Sequence, residues 1–399
     1  MAEGKKLRLG IVGLGRAFTL MRPAFLASPE VALVAAAEPR PEARARFAAE
    51  FGGAAYDDVD ALLRDPSVDA VYIASPHQFH AAQAIAAARA GKHVLVEKPM
   101  ALTLDDAEAM VAAARAGGVK LIVGHSHSFD APIAATRAII ESGEFGAVKL
   151  ITALNFTDFL YRPRRAEELD TAQGGGVIFN QALHQIDIVR LLAGGLIETV
   201  MAQTGIWDKT RPTEGAYTAL LRFPADVAAS LTYSGYAHFD SDALLDWIGE
   251  SGLAKDADSF ARTRGALPPD FNRDAEEELR RRRGYGVAND APAPAATRWH
   301  EHFGFIVVSC ERADLRPVPQ GVIVDSAGER GLRALAPPPA PRLEVIAELC
   351  DAIRHDRMPL HSGEWGVATL EAALAILQSS RERRAIGLRR QIAPAPGAP

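Results

Sequence analysis

The stretch LRLGIVGLGRAF, residues 7–18, constrains the fold of this chain more than any other feature. Its first half is a short apolar strand, and glycines follow that strand directly before a helical stretch. Gly13 permits a tight turn, and Gly15 lets backbone N–H groups approach a pyrophosphate at the positive end of the helix dipole. The pattern therefore predicts a strand–turn–helix that binds a dinucleotide, with Arg16 and Ala17 also in the turn.

A second apolar strand, VALVAAAEP, ends at Glu38, which lies 25 residues after Gly13. A carboxylate at this place can accept hydrogen bonds from both hydroxyls of the adenosine ribose. Arg40, two residues further on, could instead attract a 2′-phosphate. We therefore expect NAD as the cofactor, with NADP as the alternative. Phe18 departs from the pattern, because a third glycine should stand there, and Ala17 is the alternative for close contact between helix and strand.

From residue 7 to about residue 124, apolar runs such as VDAVYIAS, KHVLVEKP and VKLIVGH alternate with amphipathic stretches of helix length. This alternation predicts a doubly wound parallel sheet, a Rossmann fold, over residues 1–126. Residues 127–390 change rhythm, since VKLITALNF, AYTALLRF and VAASLTYSGY follow with fewer intervening helices. We predict an α/β domain with a large, mostly antiparallel, open-faced sheet that binds substrate and forms oligomers.

Two segments of the second half stand apart in composition. Residues 240–298 are polar and rich in Pro, Ala and Gly, and we interpret them as an insertion that contains a helix at EEELRRRR and an exposed loop at GVANDAPAPAATR. The four arginines are interpreted as a solvated helix face. Residues 391–399 are predicted to be a flexible tail. Too few helices follow residue 200 to cover both sheet faces, which predicts a bare apolar face and a homodimer or homotetramer.

Composition excludes several classes of function. The chain has 399 residues and a net charge of −6, which leaves no basic surface for nucleic acid, and no apolar run approaches the roughly 20 residues of a membrane helix. Its two cysteines, Cys310 and Cys350, have no metal-ligand spacing, so neither a disulfide framework nor a metal site is expected. We expect an enzyme of the cytoplasm that acts on a small molecule.

Polar residues follow three of the predicted strands at their carboxyl ends, where ligands bind in open α/β sheets. They belong to the runs SPHQFH, EKP and GHSHSF, and all three runs should meet at one crevice. A surface turn is the alternative for the second run. Pro99 biases the lysine before it away from helix and so fixes the direction of its ammonium. The cofactor-site candidates are Ser75, Pro76, His77, His80, Glu97, Lys98 and His127.

A fourth run, GGGVIFNQALHQID, enters a predicted helix through three glycines. Asn180 and His184 lie four residues apart and share one helix face, and Asp187 follows one turn later. A single histidine on an apolar helix is more often structural than catalytic. The glycine-rich entry and the polar neighbours nevertheless favour an active site here.

Together these four motifs resemble the Gfo/Idh/MocA family of nicotinamide-dependent oxidoreductases, over roughly residues 7–195. The resemblance implies a Rossmann domain, an open-faced α/β domain and catalysis by the EKP lysine with an Asp-x-x-x-His pair. Lys98 and His184 are then the catalytic candidates. Asn180 stands in place of the family's aspartate, and since an amide takes up no proton, His184 must act with Lys98 alone or through water.

The runs NFTDFLYRPRRAEELDTAQGGGV and HFGFIVVSCERADLRPVPQGV are similar to the branch that contains phthalate 4,5-cis-dihydrodiol dehydrogenase. This implies oxidation of a cis-dihydrodiol of an aromatic carboxylate to a catechol, with Asn180 and His184 also near the substrate. Guanidinium groups bind carboxylates bidentately, so the substrate-binding candidates are Arg162, Arg164 and Arg165. Three alternatives remain: an exposed basic loop, a sugar or inositol dehydrogenase, and a dinucleotide-binding regulator without turnover.

Overall fold

The computed structural model describes residues 5–258, 263, 272–282, 284–286 and 298–395. A six-stranded sheet occupies the N-terminal part of these residues, and each neighbouring pair of its strands is parallel. The strands are β1 (Leu7–Val12), β2 (Val31–Ala37), β3 (Ala54–Tyr56), β4 (Ala70–Ile73), β5 (His93–Val96) and β6 (Leu121–Val123). Their order is β3-β2-β1-β4-β5-β6, which confirms the predicted Rossmann sheet and places its switch point between β1 and β4.

Helices cover this sheet. They are α1 (Arg16–Ala27), α2 (Pro41–Phe51), α3 (Val59–Arg64), α4 (His80–Arg89) and α5 (Leu104–Gly117). Helix α1 starts directly after Gly15, so its first N–H groups face the carboxyl end of β1. Phe18 is fully buried in the core between α1 and α2, where it contacts Phe25 and Phe47. Phe18 stands where the pattern expects a third glycine, and its ring fills the interface between the two helices.

A second, nine-stranded sheet follows in the described chain, with the order β14-β13-β12-β11-β7-β10-β9-β8-β15. Its pairs are antiparallel except β7 with β10, so the predicted mostly antiparallel sheet is confirmed. The strands are β7 (Val148–Phe156), β8 (Thr199–Gly205), β9 (Ala216–Arg222), β10 (Ala228–Ser234), β11 (Phe305–Cys310), β12 (Ala313–Val318), β13 (Gly321–Ser326), β14 (Arg330–Ala334) and β15 (Ile386–Gly387).

Only one face of the second sheet carries helices of the described chain. Helices α6 (Ala131–Glu141) and α7 (Leu183–Leu192) pack on it, and α7 buries Ile186 against the sheet residues Leu221 and Leu231. The opposite face leaves large apolar side chains open to solvent. These are Leu150, Met201, Leu220 and Leu332, each between 44% and 47% exposed.

The predicted insertion contains the expected helix, α8 (Arg273–Arg281). Its arginines do not form one solvated face, since Arg280 lines a cavity and contacts Glu168 at 3.5 Å, whereas Arg282 is 62% exposed. Most of the predicted loop, residues 287–297, lies outside the described residues, as do residues 396–399 of the predicted tail. The tail begins in packed structure, because Gln391 donates to the carbonyl of Ala368 at 2.9 Å.

Two long helices, α9 (Leu343–Arg354) and α10 (Gly363–Glu382), return from the second sheet to the first. Val345 and Leu349 of α9 belong to the same buried core as Ile11 and Phe25. The chain between the helices pairs with β6, where the Val123 amide donates to the carbonyl of residue 361 at 2.9 Å. Residues assigned by sequence to the second domain therefore complete the core of the first. None of the helices in the described part of the chain has the length and apolarity needed to cross a membrane.

Candidate active site

A cavity of about 1170 Å³ runs from the carboxyl ends of β1 and β4 to the second domain. Such a volume suits a dinucleotide together with a small substrate. The structure brings many of the predicted site residues into its wall: Gly13, Gly15, Arg16, Glu38, Arg40, Ser75, Pro76, Lys98, Arg162, Arg164 and Asn180. The remaining predicted residues lie behind that wall.

The glycine turn has the shape of a phosphate cradle. Gly13 has a φ of 90°, and a Cβ at this position would stand 2.9 Å from the backbone of Ser75, so only glycine fits. A Cβ at Gly15 would meet nothing within 4 Å, which leaves open space beside the first turn of α1. This open cradle at a helix N-terminus fits the pyrophosphate of a dinucleotide.

Glu38 and Arg40 form an ion pair at the ribose end of the cavity, with 2.8 Å between Arg40 Nε and Glu38 Oε1. Burial opposes the charge on Glu38, but Arg40 and the Leu14 amide outweigh it and lower the pKa of the carboxyl. Arg40 also donates to the carbonyls of Leu14, at 2.8 Å, and Tyr285, at 3.4 Å. Its guanidinium is therefore held by three acceptors.

The ammonium of Lys98 is fixed by a main-chain contact, because Nζ donates to the carbonyl oxygen of Asn180 at 2.9 Å. The Asn180 side chain points elsewhere and donates to the carbonyls of Gly176, at 2.8 Å, and Gly174, at 3.3 Å. Residues Ile178–Ala182 form a turn of π-helix, a feature often found at functional sites. Burial lowers the pKa of Lys98, although the carboxylate of Glu97 opposes this shift.

His184 lies under the cavity and is 5% exposed. Its ring packs against those of His127 and Phe303, each with 4.9 Å between ring centroids. Burial and the nearby charge of Lys98 hold the pKa of His184 well below its usual range, so the imidazole is neutral at pH 7. Its Nδ1 has no hydrogen-bond partner among the described residues and is therefore available to accept a proton.

Two arginines of the predicted cluster reach the cavity. Arg162 donates to Asp158 at 2.8 Å, and Arg164 donates to the Phe159 carbonyl at 2.7 Å while its guanidinium lies 3.6 Å from the Phe159 ring centre. Burial lowers the pKa of Arg164 to about 10. Arg165 does not line the cavity, since it pairs with Glu167 at 3.1 Å.

Four other predicted cofactor residues lie behind the wall of the cavity. The ring nitrogens of His80 lie 2.9 Å and 2.8 Å from the carbonyl oxygens of Ser75 and Pro99, and burial lowers its pKa to about 4, so the neutral ring donates to one of the two. His77 bonds the Gln173 carbonyl at 3.0 Å, and Glu97 accepts from Tyr72 at 2.5 Å. Ala17 packs on the core of the Rossmann domain. These residues shape the turns that present the side chains of the cavity.

Asp187, grouped with His184 by its spacing, faces away from the cavity. Its carboxylate accepts from Trp365 Nε1 at 2.5 Å, from Thr369 Oγ1 at 2.9 Å and from Ser128. These contacts fix α7 to α10 and to the loop after β6. Three buried donors therefore already satisfy the carboxylate of Asp187.

His127, also predicted to bind cofactor, lies in a buried cluster with His125, Asp130 and Glu301, whose potential metal-ligand atoms lie within 4.8 Å of one another. Ion pairs link the cluster to its neighbours. His127 contacts Asp130 at 2.8 Å and Glu250 at 3.4 Å, and Glu301 accepts from Arg342 at 2.9 Å. Burial opposes the charge on His127, but the two carboxylates outweigh it and raise its pKa to about 10.

Several residues that line the cavity were not predicted from the sequence. Glu250 comes from the insertion, Glu301 and His302 precede β11, and Arg342 precedes α9. The pKa of Glu250 lies below its ordinary value, since His127 and Arg162 outweigh the opposing effect of burial. Glu301 and His302 are neighbours in the run WHEHFGF, which could have drawn attention to both, whereas Glu250 and Arg342 lie far from them in the chain.

Comparison with known proteins agrees with this geometry. Residues 7–125 match the model of an oxidoreductase family with an NAD-binding Rossmann fold, and residues 133–255 match the GFO/IDH/MocA C-terminal domain. The chain therefore belongs to the Gfo/Idh/MocA family of oxidoreductases. The resemblance seen in the four sequence motifs is confirmed.

Three relatives place the chain within this family. It is 47% identical over 385 residues to a 1-carboxy-3-chloro-3,4-dihydroxycyclohexa-1,5-diene dehydrogenase from Comamonas testosteroni, which covers 96% of this chain and 97% of the relative. It is 28% identical to a myo-inositol 2-dehydrogenase from Thermotoga maritima, over 62% of this chain and 74% of the relative. A solved structure of a proposed dehydrogenase from Bordetella bronchiseptica RB50 has a TM-score of 0.89 and 41% identity, covering 96% and 100% of the two chains.

Proposed function

We propose that this protein is an NAD-dependent dehydrogenase that oxidises a cis-dihydrodiol of an aromatic carboxylate, of the phthalate 4,5-dihydrodiol type, to the catechol. The observation that carries this proposal is the pair of arginines, Arg162 and Arg164, that line the same cavity as Lys98. The Comamonas testosteroni relative supports it, because its name describes a carboxylated ring with two vicinal hydroxyls.

The residues that would hold the cofactor are those of the open cradle and the ribose end. The amides after Gly13 would bind the pyrophosphate, and Glu38 would accept from the ribose hydroxyls. Arg40 is already held by Glu38, Leu14 and Tyr285, so its interactions favour NAD over NADP. When bound, the nicotinamide supplies the hydride acceptor.

Side chains of the protein would remove the proton of the substrate hydroxyl. Lys98, positioned by the carbonyl of Asn180, stabilises the alkoxide that develops on the substrate hydroxyl. His184 is neutral and has an unpartnered Nδ1, so it accepts the hydroxyl proton directly or through a water. The ketone formed from a dihydrodiol then enolises to an aromatic catechol. One modest base suffices for such a reaction, which is consistent with an amide rather than a carboxylate at position 180.

The substrate carboxylate would lie against Arg162 and Arg164. The Arg164 side chain is 11% exposed and the Arg162 side chain 34%, and both line the cavity, so a carboxylate beside them would form charge-assisted hydrogen bonds. Asn155 and Gln181 also line the cavity and offer amide groups to the ring hydroxyls.

The test is a substrate panel followed by NADH absorbance. It compares cis-dihydrodiols with and without ring carboxylates against myo-inositol and glucose, with NAD as the oxidant. We expect the highest kcat/KM for a carboxylated dihydrodiol. Preference for the uncharged sugars would contradict the proposal and favour a sugar or inositol dehydrogenase, the second candidate, which the similarity to the Thermotoga maritima enzyme supports.

We further propose that a second copy of this chain covers the open face of the nine-stranded sheet, giving a homodimer or a dimer of dimers. The exposed Leu150, Met201 and Leu220 on that face support this assembly. We also propose that the enzyme works in the cytoplasm, where reducing conditions suit its two unpaired cysteines, Cys310 and Cys350.

A further inference from the structure

Residues 273–282 and 284–286 of the insertion lie against the nucleotide-binding domain. Arg281 and Gly284 line the same cavity as Glu38 and Arg40, so the insertion supplies part of the wall at the ribose end. We call residues 273–282 and 284–286, as the structure describes them, the clasp. Nothing in the glycine motif itself predicts such a contact.

Tyr285 anchors the clasp and is fully buried. Its ring meets the ring of Phe18 edge to face, with 5.0 Å between centroids, and its hydroxyl donates to Glu50 at 2.8 Å. The guanidinium of Arg46 lies 5.0 Å from the ring centre, within the range of a cation–π interaction. Aromatic, polar and cationic contacts thus hold one side chain in the groove between α1 and α2.

The backbone after Tyr285 fits the same groove closely. Gly286 has a φ of 92°, and a Cβ there would stand 3.0 Å from the Cα of Ala43 in α2. Glycine is therefore required both by conformation and by space. The carbonyl of Tyr285 accepts from Arg40 Nη1 at 3.4 Å, so the clasp also contacts the residue beside the ribose pocket.

The other end of the clasp is held by the substrate side of the cavity. Glu276, which is fully buried, accepts from the amide of Arg164 at 2.6 Å and from Arg211 at 3.0 Å. Helix α8 is therefore held by the loop that contains Arg162, Arg164 and Arg165. The chain after the helix is held by Tyr285, in the groove between α1 and α2.

We infer that the clasp retains the adenosine half of the cofactor and that Tyr285 is its positioning residue. Phe18 takes part because its ring contacts that of Tyr285. A glycine at position 18, as the dinucleotide-binding pattern expects, could not make this contact. Tyr285 acts through the clasp, since Arg281 and Gly284 rather than Tyr285 line the cavity. The inference rests on the dinucleotide binding proposed above.

The experiment measures binding of NAD and of nicotinamide mononucleotide to the full chain by isothermal titration calorimetry. We expect Tyr285→Ala to weaken NAD binding about tenfold, about 1.4 kcal/mol, and to leave binding of the mononucleotide unchanged, because the mononucleotide lacks the adenosine half. Tyr285→Phe keeps the ring contact with Phe18, so its affinity for NAD should fall less than that of Tyr285→Ala. Arg282→Ala, on the exposed side of α8, is the matched control and should bind both as the wild type does.

Thermal unfolding of each variant shows whether it is folded. If Tyr285→Ala does not fold, Gly286→Ala tests the same docking through the backbone and should also weaken NAD alone. Wild-type affinity for NAD in the folded Tyr285 and Gly286 variants, or an equal loss for both ligands, would overturn the clasp. Absence of NAD binding in the wild type would instead overturn the proposed function.

Discussion

Lys98 is held 2.9 Å from Asn180 through the main-chain carbonyl of that residue, so the contact does not depend on the side chain at position 180. The amide of Asn180 is used instead to hold the carbonyls of Gly174 and Gly176. An aspartate in this conformation would place a carboxylate oxygen beside two carbonyl oxygens, which would repel it. The substitution of asparagine for the family's aspartate therefore preserves the position of the lysine and removes one proton acceptor from the site.

Loss of either proposed catalytic group should separate binding from chemistry. We expect Lys98→Ala and His184→Ala each to lower kcat about 10²- to 10⁴-fold while NAD binding is retained, because a positioned proton-transfer group contributes this much. Steady-state kinetics and calorimetry measure the two effects. His355→Ala, which removes a histidine with a 55% exposed side chain, is the control. A near-native kcat in His184→Ala would show that His184 is structural.

The ribose end should prefer NAD. The Glu38 carboxylate repels a 2′-phosphate, and Arg40 is bound to three acceptors, so we expect NADP to bind about tenfold more weakly. Glu38→Ala should narrow that difference, as measured by titration with both cofactors. Tighter binding of NADP by the wild type would mean that Arg40, not Glu38, controls the pocket.

The arginine loop offers an internal comparison for the substrate carboxylate. Arg164→Ala should weaken binding of a carboxylated dihydrodiol by roughly 2–5 kcal/mol, because it removes a largely buried charged partner. Arg162→Ala should weaken it less, since the Arg162 side chain is 34% exposed and solvent screens its charge. Arg165→Ala should have little effect, since Arg165 pairs with Glu167 outside the cavity. The KM values of the three variants show which of the arginines bind the substrate carboxylate. Unchanged KM in the first two would leave the loop without a part in substrate recognition.

The ion pairs of His127 predict a pH dependence of stability. Its pKa is raised to about 10 in the folded protein, so its stabilising contribution is complete below about pH 6.5 and is lost as the pH rises through about 10. The melting temperature should therefore fall between these values. In His127→Gln, which starts less stable, the fall over the same range should be smaller. Equal slopes would show that His127 is uncharged when folded.

The open sheet face predicts the assembly. Light scattering at micromolar concentration should give the mass of a dimer or tetramer, and Leu220→Arg should shift it towards the monomer because it places a charge in the middle of the apolar face. A monomeric wild type would refute this assignment. Thr218→Ser, on the same strand and face, is a conservative control that should keep the native mass.

Sequence reasoning succeeded where the structure is local. The turn at Gly13, the acid at Glu38 and the lysine before Pro99 each follow a strand within a few residues, so one short pattern predicts where each residue lies, and their roles stay predictions. The strand order could be expected for the same reason, because alternating strands and helices leave few arrangements. Placement in the cavity wall supports these residues as candidates.

It failed where contacts join distant parts of the chain. Glu301 and Arg342 line the same cavity as Lys98, although Glu301 comes just before β11 and Arg342 just before α9, and no periodicity marks them. Asp187 has the helical spacing of a site residue, yet its partners Trp365 and Thr369 come from α10. A pattern within one helix shows which face a residue occupies but not what packs against that face.

Helix α10 belongs to the cores of both sheets, which limits how the enzyme can open. A hinge between the two domains would have to separate Val367 and Leu370 from the core of the first sheet, or Trp365 and Ile376 from that of the second, at the cost of exposing buried apolar surface. Rigid-body swinging is therefore disfavoured, and exchange of NADH for NAD between turnovers should proceed by local undocking at the cavity's edge. On this view the lifetime of the bound cofactor is set by a surface segment, independently of the chemical step.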